Sequence, residues 1–292
     1  SMLVLAKTMV MCGRQNLAYR ILGLGDAACK TAEAFKSEKN YLVDTISDEA
    51  LGGHADMETY EKKFDSKNLT KVFRKYRKND EVMIIINGSS ASNGSFLRVA
   101  EMIKRCSCSI LFLSPSLTWC SPTEKITNKI TFGVLQEMTR SGQFERFYMI
   151  SMEEMEKHIE KVSLKEIESK LNNKIYSLIS MLIYMDHVTP DRSNYEVTRQ
   201  STRIASLGYF SDAGEDHLLY PLEESDVKER IYYFGIPEED FTTSVLMEIK
   251  NHQTLKLAQN PNTYFKAYSM KGDTSIRYSL YLTDIPQSTP YL

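Results

Sequence analysis

Two stretches of this chain repeat one plan. Residues 19–48 read YRILGLGDAACKTAEAFKSEKNYLVDTISD, and residues 83–103 read MIIINGSSASNGSFLRVAEMI. Each is a short apolar run, then a loop of small residues, then a segment of helical character. In an α/β protein that order builds an anion site. A buried strand ends, small residues let the backbone approach a phosphate, and a helix N-terminus faces it. A third loop with adjacent glycines, LGGHAD at residues 51–56, lies between the two. Three such loops in one half of a chain point to a nucleotide fold.

Strand-like runs at residues 20–24, 41–43, 82–86, 110–113 and 147–150 alternate with helical stretches at 27–37, 60–78, 96–105 and 129–140. That alternation predicts a parallel sheet covered by helices on both faces. The unbroken apolar runs MIII and ILFL suit central strands buried on both sides. Ser163-Leu164-Lys165-Glu166 is a capping-box pattern. Leu164, Ile167, Leu171, Ile175, Leu178, Leu182 and Met185 follow at spacings of three and four. They predict one helix of about six turns with a single apolar stripe, ending before Thr189-Pro190.

Beyond that helix the pattern changes. Residues 203–210, 228–235, 262–270 and 275–283 read as strands, with a helix between Pro237 and Leu257. Lys271-Gly272-Asp273 predicts a hairpin turn between the last two strands. The fold class is therefore α/β followed by α+β: a nucleotide domain at 1–162, a central core helix at 163–185, and a C-terminal α+β domain at 186–292.

Composition excludes some partners. The 292 residues carry a net charge of −2, too little for a non-specific nucleic-acid grip by bulk charge. Cys12, Cys29, Cys106, Cys108 and Cys120 form no CxxC pair and leave an odd thiol, which reads as a reduced, cytoplasmic chain. No apolar run reaches the ~18–20 residues of a membrane span. Residues 2–12 are apolar but interrupted by Lys7, so no signal peptide or membrane anchor segment is expected.

Taken in order, these pieces resemble the tubulin/FtsZ superfamily, FtsZ more than tubulin, over roughly residues 20–286. GLGDAACKTAEAF at 23–35 is similar to the family's glycine-rich first loop. VDTISDEAL at 43–51 resembles the second loop, and LGGHADMETYEKK at 51–63 the third. NGSSASNGSFLRVAEMIK at 87–104 resembles the signature loop, usually GGGTGTG followed by a helix. RSNYEVTRQSTRIASLGYFSDAGED at 192–216 is similar to the segment that enters the C-terminal sheet.

The resemblance implies a cytoskeletal subunit that stacks on itself head to tail, with GTP or GDP and a Mg²⁺ ion at each junction. The implied nucleotide contacts are Gly23, Gly25, Asp26, Ala27 and Lys30 of the first loop and Asp44 of the second. Gly52 and Gly53 follow in the third, and Gly88, Ser89, Ser90, Ala91, Ser92, Asn93 and Gly94 in the signature loop. Asn172 stands where the family presents Asn-Asp to guanine. The loop after the core helix completes the neighbouring subunit's pocket, so Asp191 and Asn194 are the implied catalytic residues.

Several positions depart from the family pattern. Asp26-Ala27-Ala28-Cys29 replaces a run of glycines, and Asp26 sets a carboxylate near a polyphosphate. At ~4 Å two unit charges repel by about 4 kcal/mol at an effective dielectric near 20. Lys30 is expected to offset that charge, or a metal ion to bridge it. Alternatively Asp26 simply caps the following helix. Asn173 replaces the Asp that accepts two guanine N–H bonds. Trp119, near the implied sugar-binding loop, reads as local packing. Asn194 replaces the second Asp of the catalytic loop, so any hydrolysis is slow, and Asp191 after Pro190 is equally a turn residue.

Two readings stay open: a weak GTPase that forms filaments, and a degenerate structural or interaction protein that no longer binds GTP. A dinucleotide enzyme is disfavoured because Ala28 takes the place of the third glycine of GxGxxG. The short stretch after the last strand resembles compact tubulin-like proteins of phages and plasmids, which would place the chain in the cytoplasm of a bacterium or an infected host.

Overall fold

Apolar runs buried on both faces set the first half of the fold. The computed structural model describes residues 19–159, 163–195, 201–211 and 213–289, and these divide into two compact units. The first comprises the described residues of Arg14–Tyr176 and Pro286–Leu292; the second is formed from Ser177–Ile285. The boundary falls inside a single helix.

In the first unit, β1 (Tyr19–Leu24), β2 (Tyr41–Ile46), β3 (Glu81–Asn87), β4 (Ser107–Ser114) and β5 (Arg146–Ser151) form a parallel sheet in the order β2-β1-β3-β4-β5. Met83, Ile84, Ile85 and Ile86 are all buried, as are Ile110 to Leu113 and Phe147 to Ile150. Burial on both sides is what a parallel sheet under two helical layers requires. Phe112, Phe132 and Phe147 pack with ring centroids 5.1–5.8 Å apart.

Strand order reverses direction between β1 and β3, so the loops leaving them diverge from a topological switch point. Ligand crevices form there in open α/β sheets. After β1 comes α1 (Asp26–Glu33), after β3 a 3₁₀ turn at Ala91–Ser95 and α4 (Phe96–Met102), and after β4 the long α5 (Pro122–Arg140).

The single helix expected at 60–78 is two short ones, α2 (Met57–Lys62) and α3 (Lys67–Phe73). Asp65 Oδ1 accepts the Lys67 N–H at 2.9 Å, a local bond that competes with helix continuation. A full capping box forms at Ser121 and Glu124 on α5. After α6 (Met152–Lys157), the core helix is α7 (Leu164–His187), close to the expected span. Its first turn closes through the Glu166 N–H to the Ser163 carbonyl at 2.9 Å.

In the second unit, β6 (Arg192–Ser193), β7 (Ile204–Phe210), β8 (Asp216–Leu218), β9 (Glu229–Pro237), β10 (Thr263–Met270) and β11 (Ile276–Thr283) accompany α8 (Thr243–Gln259). The order is β7-β11-β9-β10-β6, with β8 on β7. All four expected strands are present. The expected hairpin at Lys271-Gly272-Asp273 is not: β9 lies between β10 and β11, parallel to the first and antiparallel to the second. The core here gathers Phe210, Tyr232, Phe234, Ile236, Ile249 and Tyr281.

Candidate functional site

The β1–β3 register sets Gly23 beside Ile85 and Leu24 beside Ile86, so the chain leaves both strands side by side. Gly23 packs on α1, where an added Cβ would lie 2.8 Å from the Ala28 carbonyl oxygen and 2.9 Å from Ala32 Cβ. Gly25 then turns the chain at φ +85° and ψ 156°, a conformation open essentially to glycine alone. A Cβ at Gly25 would sit 2.5 Å from Ser92 Oγ and 3.1 Å from both Ser90 Oγ and Asp48 Oδ1. First loop, second loop and signature loop therefore meet at one glycine. The Gly25 N–H donates to the Ile46 carbonyl at 2.9 Å, tying this turn to the end of β2.

At this point α1 begins. The N–H groups of Asp26, Ala27 and Ala28 have no intrahelical acceptor and carry the positive end of the helix dipole. Asp26 Oδ1 accepts the Asp48 N–H at 3.0 Å. Asp26 thus braces the second loop and does not cap its own helix, whose N-cap makes no side-chain bond. Burial pushes the Cys29 thiol up to about 11, helped by Asp26 and Asp48 and opposed by a bond to the Ile46 backbone. Cys29 therefore remains neutral and adds no negative charge to the loop.

The signature loop is held from within. The Gly88 N–H donates to the Leu113 carbonyl at 2.9 Å, and a Cβ there would overlap the Asn128 side chain. Asn87 Oδ1 accepts from the Ser89 N–H at 3.1 Å and from its hydroxyl at 2.9 Å. The Ser90 and Ser92 hydroxyls pair at 2.6 Å. Asn93 Nδ2 donates to the carbonyls of Asn87 and Gly88 at 2.8 and 3.2 Å. Ala91 opens the 3₁₀ turn, and a Cβ at Gly94 would collide with the Met57 carbonyl.

Gly52 (φ +114°) and Gly53 (φ +61°) close the third loop, where the Gly53 N–H reaches the Asp48 carbonyl at 2.8 Å. Asp48 is the residue that sequence reasoning missed. Its carbonyl anchors the third loop, its N–H meets Asp26, and its carboxylate faces Gly25. Among the described residues, Asp48 Oδ1, Asn93 Oδ1 and both amide atoms of Asn128 are buried without a hydrogen-bond partner. Such orphans cost about 1–3 kcal/mol each unless a ligand, ion or water completes them.

Two implied contacts, Lys30 and Asp44, have other partners. Lys30 Nζ pairs with Glu168 of α7 at 2.9 Å, so it does not neutralise Asp26. Asp44 has both carboxylate oxygens engaged, one by Lys75 and one by the Tyr76 hydroxyl at 3.0 Å, with Arg20 also beside it. It belongs to a structural polar cluster and not to the loop junction. Trp119, expected to be local packing, is instead 85% exposed. Asn172 stays on the α1-facing side of α7, where its Oδ1 accepts from the Thr31 hydroxyl at 2.7 Å.

The implied catalytic pair lies in the second unit, along β10. The Asp191 N–H donates to the Ala267 carbonyl at 2.9 Å, and Asp191 Oδ2 accepts the Ser269 N–H at 2.6 Å. Asn194 Oδ1 accepts the Phe265 N–H at 2.7 Å. Both side chains clamp the sheet edge. Asp191 is exposed, and no described residue bonds its Oδ1.

A phosphate fits the backbone of this junction but not its carboxylates alone. The glycine cradle and first-turn amides suit an anion, whereas Asp26 and the orphaned Asp48 oxygen call for a cation beside it.

No protein-family model matches the chain, and no curated protein sequence matches it. Solved structures do. CetZ2 from Haloferax volcanii, a GTPγS-bound protofilament, superposes with a TM-score of 0.69 at 13% identity, covering 90% of this chain and 92% of that one. TubZ from Bacillus thuringiensis serovar israelensis, a GTPγS-form protofilament, gives 0.67 at 12% identity over 92% and 87%. An empty FtsZ dimer from M. jannaschii gives 0.59 at 14% over 91% and 88%.

Proposed function

We propose that this chain, which has the tubulin/FtsZ fold, is a filament-forming subunit that binds a guanine nucleotide with Mg²⁺ at the Gly25 junction and hydrolyses it slowly. The convergence of three loops on Gly25 carries this reading: Ser90, Ser92 and Asp48 all lie within 3.1 Å of where a Cβ on that glycine would sit. Gly25, Ala27, Ala28, Ser90 and Ser92 would hold the phosphates. Asn172 would present its remaining amide protons to the base while Thr31 fixes its rotamer. The bound cation supplies charge neutralisation between the phosphates and Asp26 or Asp48.

Asp191, in the head-to-tail reading, reaches the next subunit's nucleotide with Oδ1, which no described residue bonds, and orients a water. With Asn194 lacking a second carboxylate, turnover is slow. The clamping of both residues on β10 favours a second reading, in which the fold assembles without hydrolysis.

Turnover of GTP with Mg²⁺, measured across protein concentration together with light scattering, separates the two. Turnover that appears only above a threshold supports a site completed between subunits. Scattering without turnover at any concentration supports the non-hydrolysing subunit. Absence of bound nucleotide in the purified protein, with no thermal shift on adding GTP and Mg²⁺, overturns the nucleotide assignment.

A further inference from the structure

Charge is unevenly shared along this chain. Residues 62–78 hold eight lysines and arginines against one carboxylate, Asp65, a net of +7. Residues 215–240 hold nine carboxylates against Lys228 and Arg230, a net of −7. A whole-chain charge of −2 conceals both blocks.

Part of each block is spent within the chain: Lys62 pairs with Glu58 and Lys75 with Asp44, while Asp216 pairs with Lys256 and Glu229 is buried. Phe73 and Tyr76 are buried, and the Tyr76 hydroxyl is bonded to Asp44, which pins the segment after α3 to the sheet. The residues between and beside these anchors, Lys71, Arg74, Arg77 and Lys78, are exposed, and no salt bridge among the described residues uses them. On the other block, all nine residues of β9 are buried, Glu229 among them, and exposed carboxylates flank the strand. At the leading end Glu224 is taken by Arg230. At the trailing end Glu238, Glu239 and Asp240 form one exposed 3₁₀ turn, with no salt bridge among the described residues.

We propose that Lys71, Arg74, Arg77 and Lys78 of one copy dock on the Glu238–Asp240 turn of a second copy. Charge complementarity selects the occupant: these exposed residues, four basic and three acidic, are opposite in sign and carried by the same chain. The small net charge leaves no long-range repulsion between copies. A contact between unlike patches is heterologous, so every added copy presents a fresh block and the copies either close into a ring or propagate. Its residues are distinct from those of the loop contact proposed above, and it needs no nucleotide. Exposed ion pairs are individually weak and screened, so the contact is salt-sensitive, with a Debye length of about 10 Å at 0.1 M.

Sedimentation velocity of the full chain without nucleotide, in EDTA, tests this at about 50 mM and about 500 mM salt. Self-association should weaken by about tenfold or more at the higher salt. The reversal variants K71E/R74E/R77E/K78E and E238K/E239K/D240K should each self-associate about tenfold more weakly at low salt. An equimolar mixture of the two should recover association, which misfolding cannot produce. Association indifferent to salt and to both reversals, no recovery in the mixture, or a monomeric parent protein at low salt each overturns the proposal. So does a basic-block reversal that abolishes binding of a DNA duplex but leaves self-association intact. Nucleotide-driven scattering that survives both reversals would leave the filament reading standing while this one falls.

Discussion

The loop junction around Gly25 and the edge loop around Asp191 hold their polar groups in opposite ways. At the junction, Asp48 Oδ1, Asn93 Oδ1 and the Asn128 amide are buried without partners. At the edge, Asp191 and Asn194 each accept a backbone N–H, at 2.6 and 2.7 Å. Buried orphans are costly and satisfied clamps are not. The first region therefore leaves polar groups for a ligand, ion or water to complete, whereas the second can offer only what its clamps leave over.

The largest effect should come from Gly25→Ala. The substitution forces a side chain into a glycine-only conformation, at a cost of about 1–3 kcal/mol, and sets a methyl against Ser92. Nucleotide affinity should fall by about 100-fold or more, and the chain should still fold. Isothermal titration with GTP and Mg²⁺ checks it. Retained affinity would mean that the junction is packing alone, and the contrast with the edge loop would collapse.

Much of this junction was legible in the sequence, because buried parallel strands read as unbroken apolar runs and glycine loops punctuate them. Expected strands at 20–24 and 82–86 fall within one residue of those observed. What the sequence did not reveal shares a cause: pairings made at a distance. Lys30 lies near the loop in sequence but meets Glu168, and Asp44 sits in a loop-like motif but meets Lys75 and Tyr76. Turn chemistry at 271–273 carries no information about β9 slipping between its flanking strands. Asp48 was visible in VDTISD, yet only its placement opposite Gly25 distinguishes it from other loop carboxylates.

A smaller effect sharpens the comparison from the edge side. Asp191→Ala removes both the clamp and the charge, so turnover should drop by ~10²-fold with a stability loss of about 1 kcal/mol. Asp191→Asn keeps an acceptor for the Ser269 N–H and removes only the charge. Turnover as low as in the alanine variant, with stability restored, would assign the carboxylate to chemistry. Turnover restored by asparagine would make Asp191 a clamp and nothing more.

Asp48→Asn should move less and in an unusual direction. With the carboxylate gone, a nucleotide phosphate no longer needs a cation beside that atom. GTP affinity measured in EDTA should rise by about tenfold, while affinity in Mg²⁺ changes little, narrowing the gap between the two conditions. An unchanged dependence on Mg²⁺ would show that the orphaned oxygen does not face the phosphates.

His252 supplies the weakest effect and the sternest limit on the comparison. Both of its ring nitrogens are buried without partners, as at the junction, yet its neighbours are the rings of Phe210, Tyr232 and Phe234, with centroids 4.8–5.5 Å away. These rings give the imidazole nitrogens nothing to bond, so this orphan is a cost of packing. Burial pushes its pKa down to about 4, with Lys256 and Arg277 acting in the same direction and Asp216 against. Unfolded chains take up the proton below about 6.5, whereas the folded protein stays neutral to about 4. Protons therefore favour the unfolded state in that window, and stability falls as pH drops through it. Melting curves between pH 7 and 4 should decline less steeply, by a few degrees, in His252→Phe than in the parent, with GTP affinity untouched. Parallel curves would mean that the cage does not hold the imidazole neutral. Lost GTP affinity would mean that an orphaned group in an apolar setting can also serve a ligand, and that partner chemistry, not burial alone, no longer separates the two kinds.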